Sequence, residues 1–120
     1  MEKNIRWGHD ADFKPRVDLM NTVIVGKLAV DSTELSAQLS STFGDLGLIS
    51  AFKEARSVFI KPNLTYPNFK TGVTTRMDFI SALVAALRKI NTTTKIYIGE
   101  GEGGYNSFSM TDAMKDMGFY

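Results

Sequence analysis

The stretch "SVFIKPNLTYPNFKTGVTTRMDFISALVAALRKINTTTKIYI", residues 57–98, decides the fold. It opens with a short apolar run, Ser57 to Ile60, that Pro62 brings to an end because proline has no N–H to continue a ladder. A polar passage follows. Over "RMDFISALVAALRKI", residues 76–90, Ile80, Leu83, Val84, Leu87 and Ile90 recur at helical spacing, and Ala82, Ala85 and Ala86 widen the stripe, which predicts a helix packed on more than one side. Thr75 is the expected cap of that helix, with Asp78 in its first turn. "KIYI", residues 95–98, then reads as a second strand. Strand, helix, strand is the pattern of two parallel strands joined by a right-handed helical crossover.

The same alternation extends in both directions. Upstream, "TVIVGKLAV" (22–30) is β-branched and apolar enough for a further strand, with Gly26 marking a bulge or close backbone approach. Asp31 and Glu34 resemble a capping box at the start of a helix carrying Leu35, Leu39, Phe43 and Leu46 on one face. A short helical stretch, "SAFKEA", leads into the run at Ser57. Downstream, the loop "GEGEGGYNS" precedes a helix begun by Ser109 and Asp112, striped by Met110, Ala113, Met114 and Met117 and stopped by Gly118.

The expected fold class is therefore α/β, parallel strands with helical crossovers in the order βαβαβα. Residues 1–120 read as one domain, with 1–16 an irregular lead-in. The sequence stops at "MGFY", where another strand is due. The expectation is a domain truncated at the carboxyl end, a fragment of a larger α/β domain whose further part, or a partner protein, packs on the last two helices.

Fourteen basic and thirteen acidic residues give a net charge of +1, so no global field draws in nucleic acid or an anionic membrane surface. The absence of cysteine rules out disulfides, thiolate catalysis and any cysteine-held iron–sulfur cluster within these residues. No apolar run approaches the roughly 18 residues of a membrane span, and the default location is cytoplasmic. The sequons at Asn63 and Asn91 are read as chance.

In parallel α/β sheets ligands bind beyond the carboxyl ends of the strands. Three features fall there: Lys61-Pro62-Asn63, Gly72-Val73-Thr74-Thr75, and the loop 99–104. If the strands at 57 and 95 are neighbours, Lys61 and Glu100 face one cavity. A lysine ammonium, the Asn63 amide, the Thr74 and Thr75 hydroxyls and free helix-start amides suit a small anion, a phosphate or a carboxylate, with Gly99 and Gly101 contributing backbone. Glu100 and Glu102 suit a hard cation such as Mg²⁺ shared with that ligand; Lys61 and Glu100 also suit an acid and base pair, which makes them the catalytic candidates. The same residues are equally ordinary as turns, caps and a solvated acidic loop.

Gly99, Gly101 and Gly104 satisfy GxGxxG, but two glutamates stand where a pyrophosphate would lie, which opposes dinucleotide binding. His9 reads as a surface residue, and Trp7, Tyr66 and Phe69 as aromatic contacts or core cover. No Walker A, HExxH, GxSxG or EF-hand pattern occurs.

The run from "SVFIKPN" through "GVTT" to "KIYIGEGEGG" resembles the family catalogued as domain of unknown function 362, most strongly over residues 57–104. Lys61, Pro62, Asn63, Thr74, Thr75, Gly99 and Glu100 match its recurring positions. Members are usually longer and some carry ferredoxin-like cysteine motifs, and this chain departs in both respects. No redox function carries over from the resemblance; the broad helix face and the Met-rich helix give a second reading beside ligand binding, a non-enzymatic scaffold or an electron-transfer partner module of an iron–sulfur protein that docks another domain.

Overall fold

A computed structural model of the chain describes residues 23–102 and 107–120. The expected lead-in 1–16, with Trp7 and His9, and Gly104 of the glycine loop lie outside the described residues. The elements run α1 (Ser32–Asp45), α2 (Ile49–Glu54), β1 (Ser57–Ile60), α3 (Met77–Ile90), β2 (Lys95–Ile98) and α4 (Met110–Asp116). The fold is a small α/β arrangement whose described strands form one two-stranded parallel sheet, with Ser57 opposite Lys95 and Ile60 opposite Ile98.

Helices α1 and α4 begin at side-chain caps. The Asp31 carboxylate accepts from the Thr33 and Glu34 amides, both at 2.9 Å, and so starts α1. The Ser109 hydroxyl accepts from Asp112 N–H at the start of α4, and Gly118, with φ of 84°, turns the chain at its end. Helix α3 is different. Its N-cap is Arg76, without a side-chain cap, and not Thr75, whose hydroxyl is engaged elsewhere. Arg76 instead forms an ion pair with Asp78.

The inner face of the sheet closes a core. Leu35, Leu39 and Phe43 of α1 meet Ile80, Ala86 and Leu87 of α3 over Ile60, with Val58, Ile96 and Ile98 packed against them. Phe43 meets Phe52 of α2 edge to face, with 4.9 Å between ring centroids. Burying each such leucine or isoleucine contributes roughly 1.5–3 kcal/mol, which is why α1 and α3 lie against each other and not apart. A second cluster at the carboxyl end of the sheet joins Leu64 to Met110, Ala113 and Met114 of α4. The apolar stripes of the last two helices are thus covered largely within the chain.

Asn91 ties the back of the layer. Its amide nitrogen donates to the carbonyls of Phe52, Lys53 and Ala55, while its oxygen accepts from the Thr93 and Thr94 amides.

The strand expected over 22–30 is not formed among the described residues 23–30. Gln38 of α1 has captured the backbone there: its amide nitrogen donates to the Lys27 carbonyl at 2.7 Å and its oxygen accepts from Ala29 N–H at 3.0 Å. Val23, Ile24, Val25, Leu28 and Val30 stay exposed. Among the described residues, two strands of the expected βαβαβα order are formed. The outer face of the sheet is exposed as well, with Phe59 and Tyr97 side by side at 66% and 52% exposure.

Candidate functional site at the strand ends

Because β1 and β2 are parallel neighbours in register, the residues that follow them emerge at one edge. The Gly99 amide continues the ladder onto the Ile60 carbonyl at 3.1 Å, which brings Lys61 and Glu100 out together. The Lys61 Nζ donates to Glu100 Oε2 at 2.7 Å, and Glu100 Oε1 accepts from the Gly101 amide at 2.9 Å. The ammonium end is open to water, with the lysine side chain 64% exposed; the glutamate side chain is 14% exposed. Burial raises the Glu100 carboxyl, but hydrogen bonds from Lys61 and from the Gly101 and Leu64 amides, with the lysine charge, outweigh it and hold the group below the usual carboxylate range. The carboxyl is ionised at neutral pH.

Lys61, Asn63, Glu100, Gly101 and Glu102 line one open cleft of about 250 Å³, together with Leu64, Thr65 and Met110. Glu102 accepts from the Met110 amide at 2.9 Å and so fastens the loop to the start of α4. Both carboxylates keep lone pairs beyond these bonds, since an ionised carboxylate offers about four acceptor sites. The cleft therefore carries one ammonium and two carboxylates, a net negative lining. Among the described residues no group of three or more metal-ligating side chains gathers anywhere.

The remaining expected ligand residues have other partners. The Thr75 hydroxyl accepts from Asn63 N–H at 2.8 Å, and the Thr75 amide donates to the Asn63 carbonyl at 2.9 Å. The Asn63 side chain donates to the Val73 carbonyl and accepts from the Thr65 hydroxyl. Thr74 is buried, its hydroxyl accepting from the Lys70 amide at 2.8 Å. These contacts close the passage 61–75 on itself around Gly72, whose φ of 76° suits a residue without a Cβ. Thr74 and Thr75 stand behind the cleft and shape it; Asn63 does so while lining it.

Gly99 does not line the cleft. It lies under the Phe59 ring, where an added Cβ would sit 3.3 Å from the nearest ring carbon. Thr65, Leu64 and Met110 are not site residues in the sequence reading; of the three, Thr65, two residues past Asn63, carries a readable signal, a hydroxyl in reach of an Asx turn.

A larger, flatter hollow of about 370 Å³ lies on the other side of Thr75, between Phe69, Arg76, Asp78 and Asp116. Its guanidinium is already held by Asp78, whose carboxyl the Arg76 hydrogen bond keeps below its ordinary range. The smaller cleft has the exposed ammonium and two strand ends, which makes it the candidate site. No helix among the described residues is long and apolar enough to cross a membrane.

A family model described as Domain of unknown function (DUF362) matches residues 58–120, just over half of the chain and the whole of the cleft. No curated protein and no solved structure matches the chain.

Proposed function

The chain belongs to the DUF362 family, a domain of unknown function, and on that premise we propose that it binds a small anionic ligand, a phosphate or carboxylate, together with a divalent cation at the carboxyl ends of its strands. The observation that carries this reading is the Lys61–Glu100 pair at 2.7 Å across two adjacent strand ends, with Glu102 lining the same cleft. One ammonium against two carboxylates disfavours an anion by itself. A cation such as Mg²⁺ held by Glu100 and Glu102 would reverse that sign, and with so few protein ligands it would be shared with the anion and with water. Lys61 then turns from Glu100 toward the anion, with Gly101 and Asn63 forming the wall of the cleft. Gly99, Thr74 and Thr75 support the backbone that presents these groups. Since Glu100 stays ionised, its part is to hold charge.

Titration calorimetry with Mg²⁺, inorganic phosphate and pyrophosphate, each alone and then combined, tests this. The expected result is anion binding that requires Mg²⁺ and weakens at least about tenfold in Lys61→Ala and in Glu100→Gln, a loss of the size of one charge-assisted contact. Binding that both variants leave unchanged overturns the site, and no binding of any probe overturns the reading.

The exposed outer sheet face at Phe59 and Tyr97 favours the second reading, a non-enzymatic scaffold or electron-transfer partner module, because parallel sheets ordinarily have both faces covered. The same titrations separate the two, since a scaffold leaves every small probe unbound.

A further inference from the structure

We infer that the free edge of β1 takes residues 23–26 of the same chain as a third parallel strand. The argument starts from the ladder. The Lys95 amide donates to the Arg56 carbonyl and the Gly99 amide to the Ile60 carbonyl, so the even-numbered residues of β1 turn their backbone toward β2. N–H and C=O of one residue point to the same side of a strand, and sides alternate along it. Ser57 and Phe59 therefore present their N–H and C=O to the opposite edge, where the described residues supply no strand.

The identity of the occupant follows from handedness. Helix α3 joins β1 to β2, and α1 precedes β1; the two helices pack on each other over the same face of the sheet, their side chains sharing one core. Parallel crossovers are right-handed in about 98% of cases. Two right-handed crossovers with helices on one face move the chain across the sheet in one direction, so a strand preceding α1 belongs beside β1, on the side away from β2. The segment before α1 is Val23-Ile24-Val25-Gly26, with three β-branched residues, no strand of its own and Val25 91% exposed. Gln38 already fastens Lys27 and Ala29 to α1, which leaves 23–26 as the part free to pair and 27–31 as its turn into the helix. Four residues match the four of β1. An edge of this kind is otherwise a row of open donors and acceptors that invites association.

Amide exchange and backbone cross-strand NOEs, measured by NMR on the full 120-residue chain, test the assignment. With the third strand in place the Phe59 amide exchanges about 100-fold more slowly than an open amide, and NOEs join 23–26 to 57–59. In the double variant I24P/V25P, where one proline falls on the ladder whichever way the strand faces, Phe59 becomes fast while Ile60, bonded toward β2, stays slow. A fast Phe59 amide in the unaltered chain overturns the inference. So does a slow one whose NOEs lead to any other segment or to a second copy, and those wild-type readings stand even if the proline variant fails to fold.

Discussion

Two sets of polar side chains stand at the same edge of the sheet and differ in what holds them. Asn63, Thr74 and Thr75 are bonded to backbone groups of their own passage, whereas Lys61 and Glu100 are bonded across the sheet to each other, and the ammonium remains in water. On the proposed reading the first set supports the cleft and the second meets the ligand. Both had the composition of a ligand site, so residue type alone could not sort them; the partner of each hydrogen bond did. A backbone passage closed by its own side chains holds the Leu64 amide where Glu100 accepts from it, and so fixes the place at which the two charged groups meet.

The sharpest way to break that division is to remove what lies beneath the first set. Leu64, one residue past Asn63, is 1% exposed and joins the passage to α4. Leu64→Ala is expected to cost about 3 kcal/mol in chemical denaturation, the usual size for an emptied leucine site. A cost under about 1 kcal/mol would mean that the passage does not depend on α4.

A smaller effect sharpens the contrast. Thr75→Val keeps the shape of the side chain and removes the acceptor of the Asn63 amide, with an expected loss of about 1 kcal/mol in thermal unfolding. Anion binding in that variant should weaken less than in Lys61→Ala. Equal weakening would place Thr75 among the ligand contacts and dissolve the distinction.

The least effect is expected from the ion pair. Glu100 titrates below the ordinary carboxylate value of 4.5, so the folded state binds its proton less readily than the unfolded one. Its contribution is therefore present above about pH 4.5 and is lost as the pH falls through the lower, folded-state value. With Lys61 mostly in water the contribution is under about 1 kcal/mol. The stability difference between the unaltered chain and Glu100→Gln should be largest at neutral pH and shrink toward pH 3 in denaturant titrations. A difference that grows on acidification would show that burial, and not the lysine, governs the group.

The sequence made β1, α3 and β2 legible because apolar period and proline placement are local signals, and the pairing of Ser57 with Lys95 obeys the crossover they imply. Asp31, Ser109 and Gly118 act where their residue types say they act. The failures are all nonlocal. Residues 22–30 have the composition of a strand, but that propensity measures fit beside a neighbouring strand, and Gln38, nine residues past Ala29, fastens Lys27 and Ala29 to α1. Thr75 looked like a cap until an amide 12 residues away claimed its hydroxyl. Asn91, read only as a chance sequon, holds α2 through three carbonyls, and the threonines after it were the signal for its turn. The convergence of Lys61 and Glu100 was legible as a condition on strand adjacency, which the parallel ladder meets.

Lys61 and Glu100, which meet in the cleft, are 39 residues apart along the chain. Closing a loop of that length costs an unfolded chain roughly 3 kcal/mol of configurational entropy before any contact compensates it. No partly ordered segment can imitate the cleft, since neither strand end owns it. A compound bridging Lys61 and Glu100 binds native molecules alone and must raise the melting temperature as its concentration rises. The ligand of an uncharacterised domain can thus be sought by heat, through whichever compound postpones unfolding.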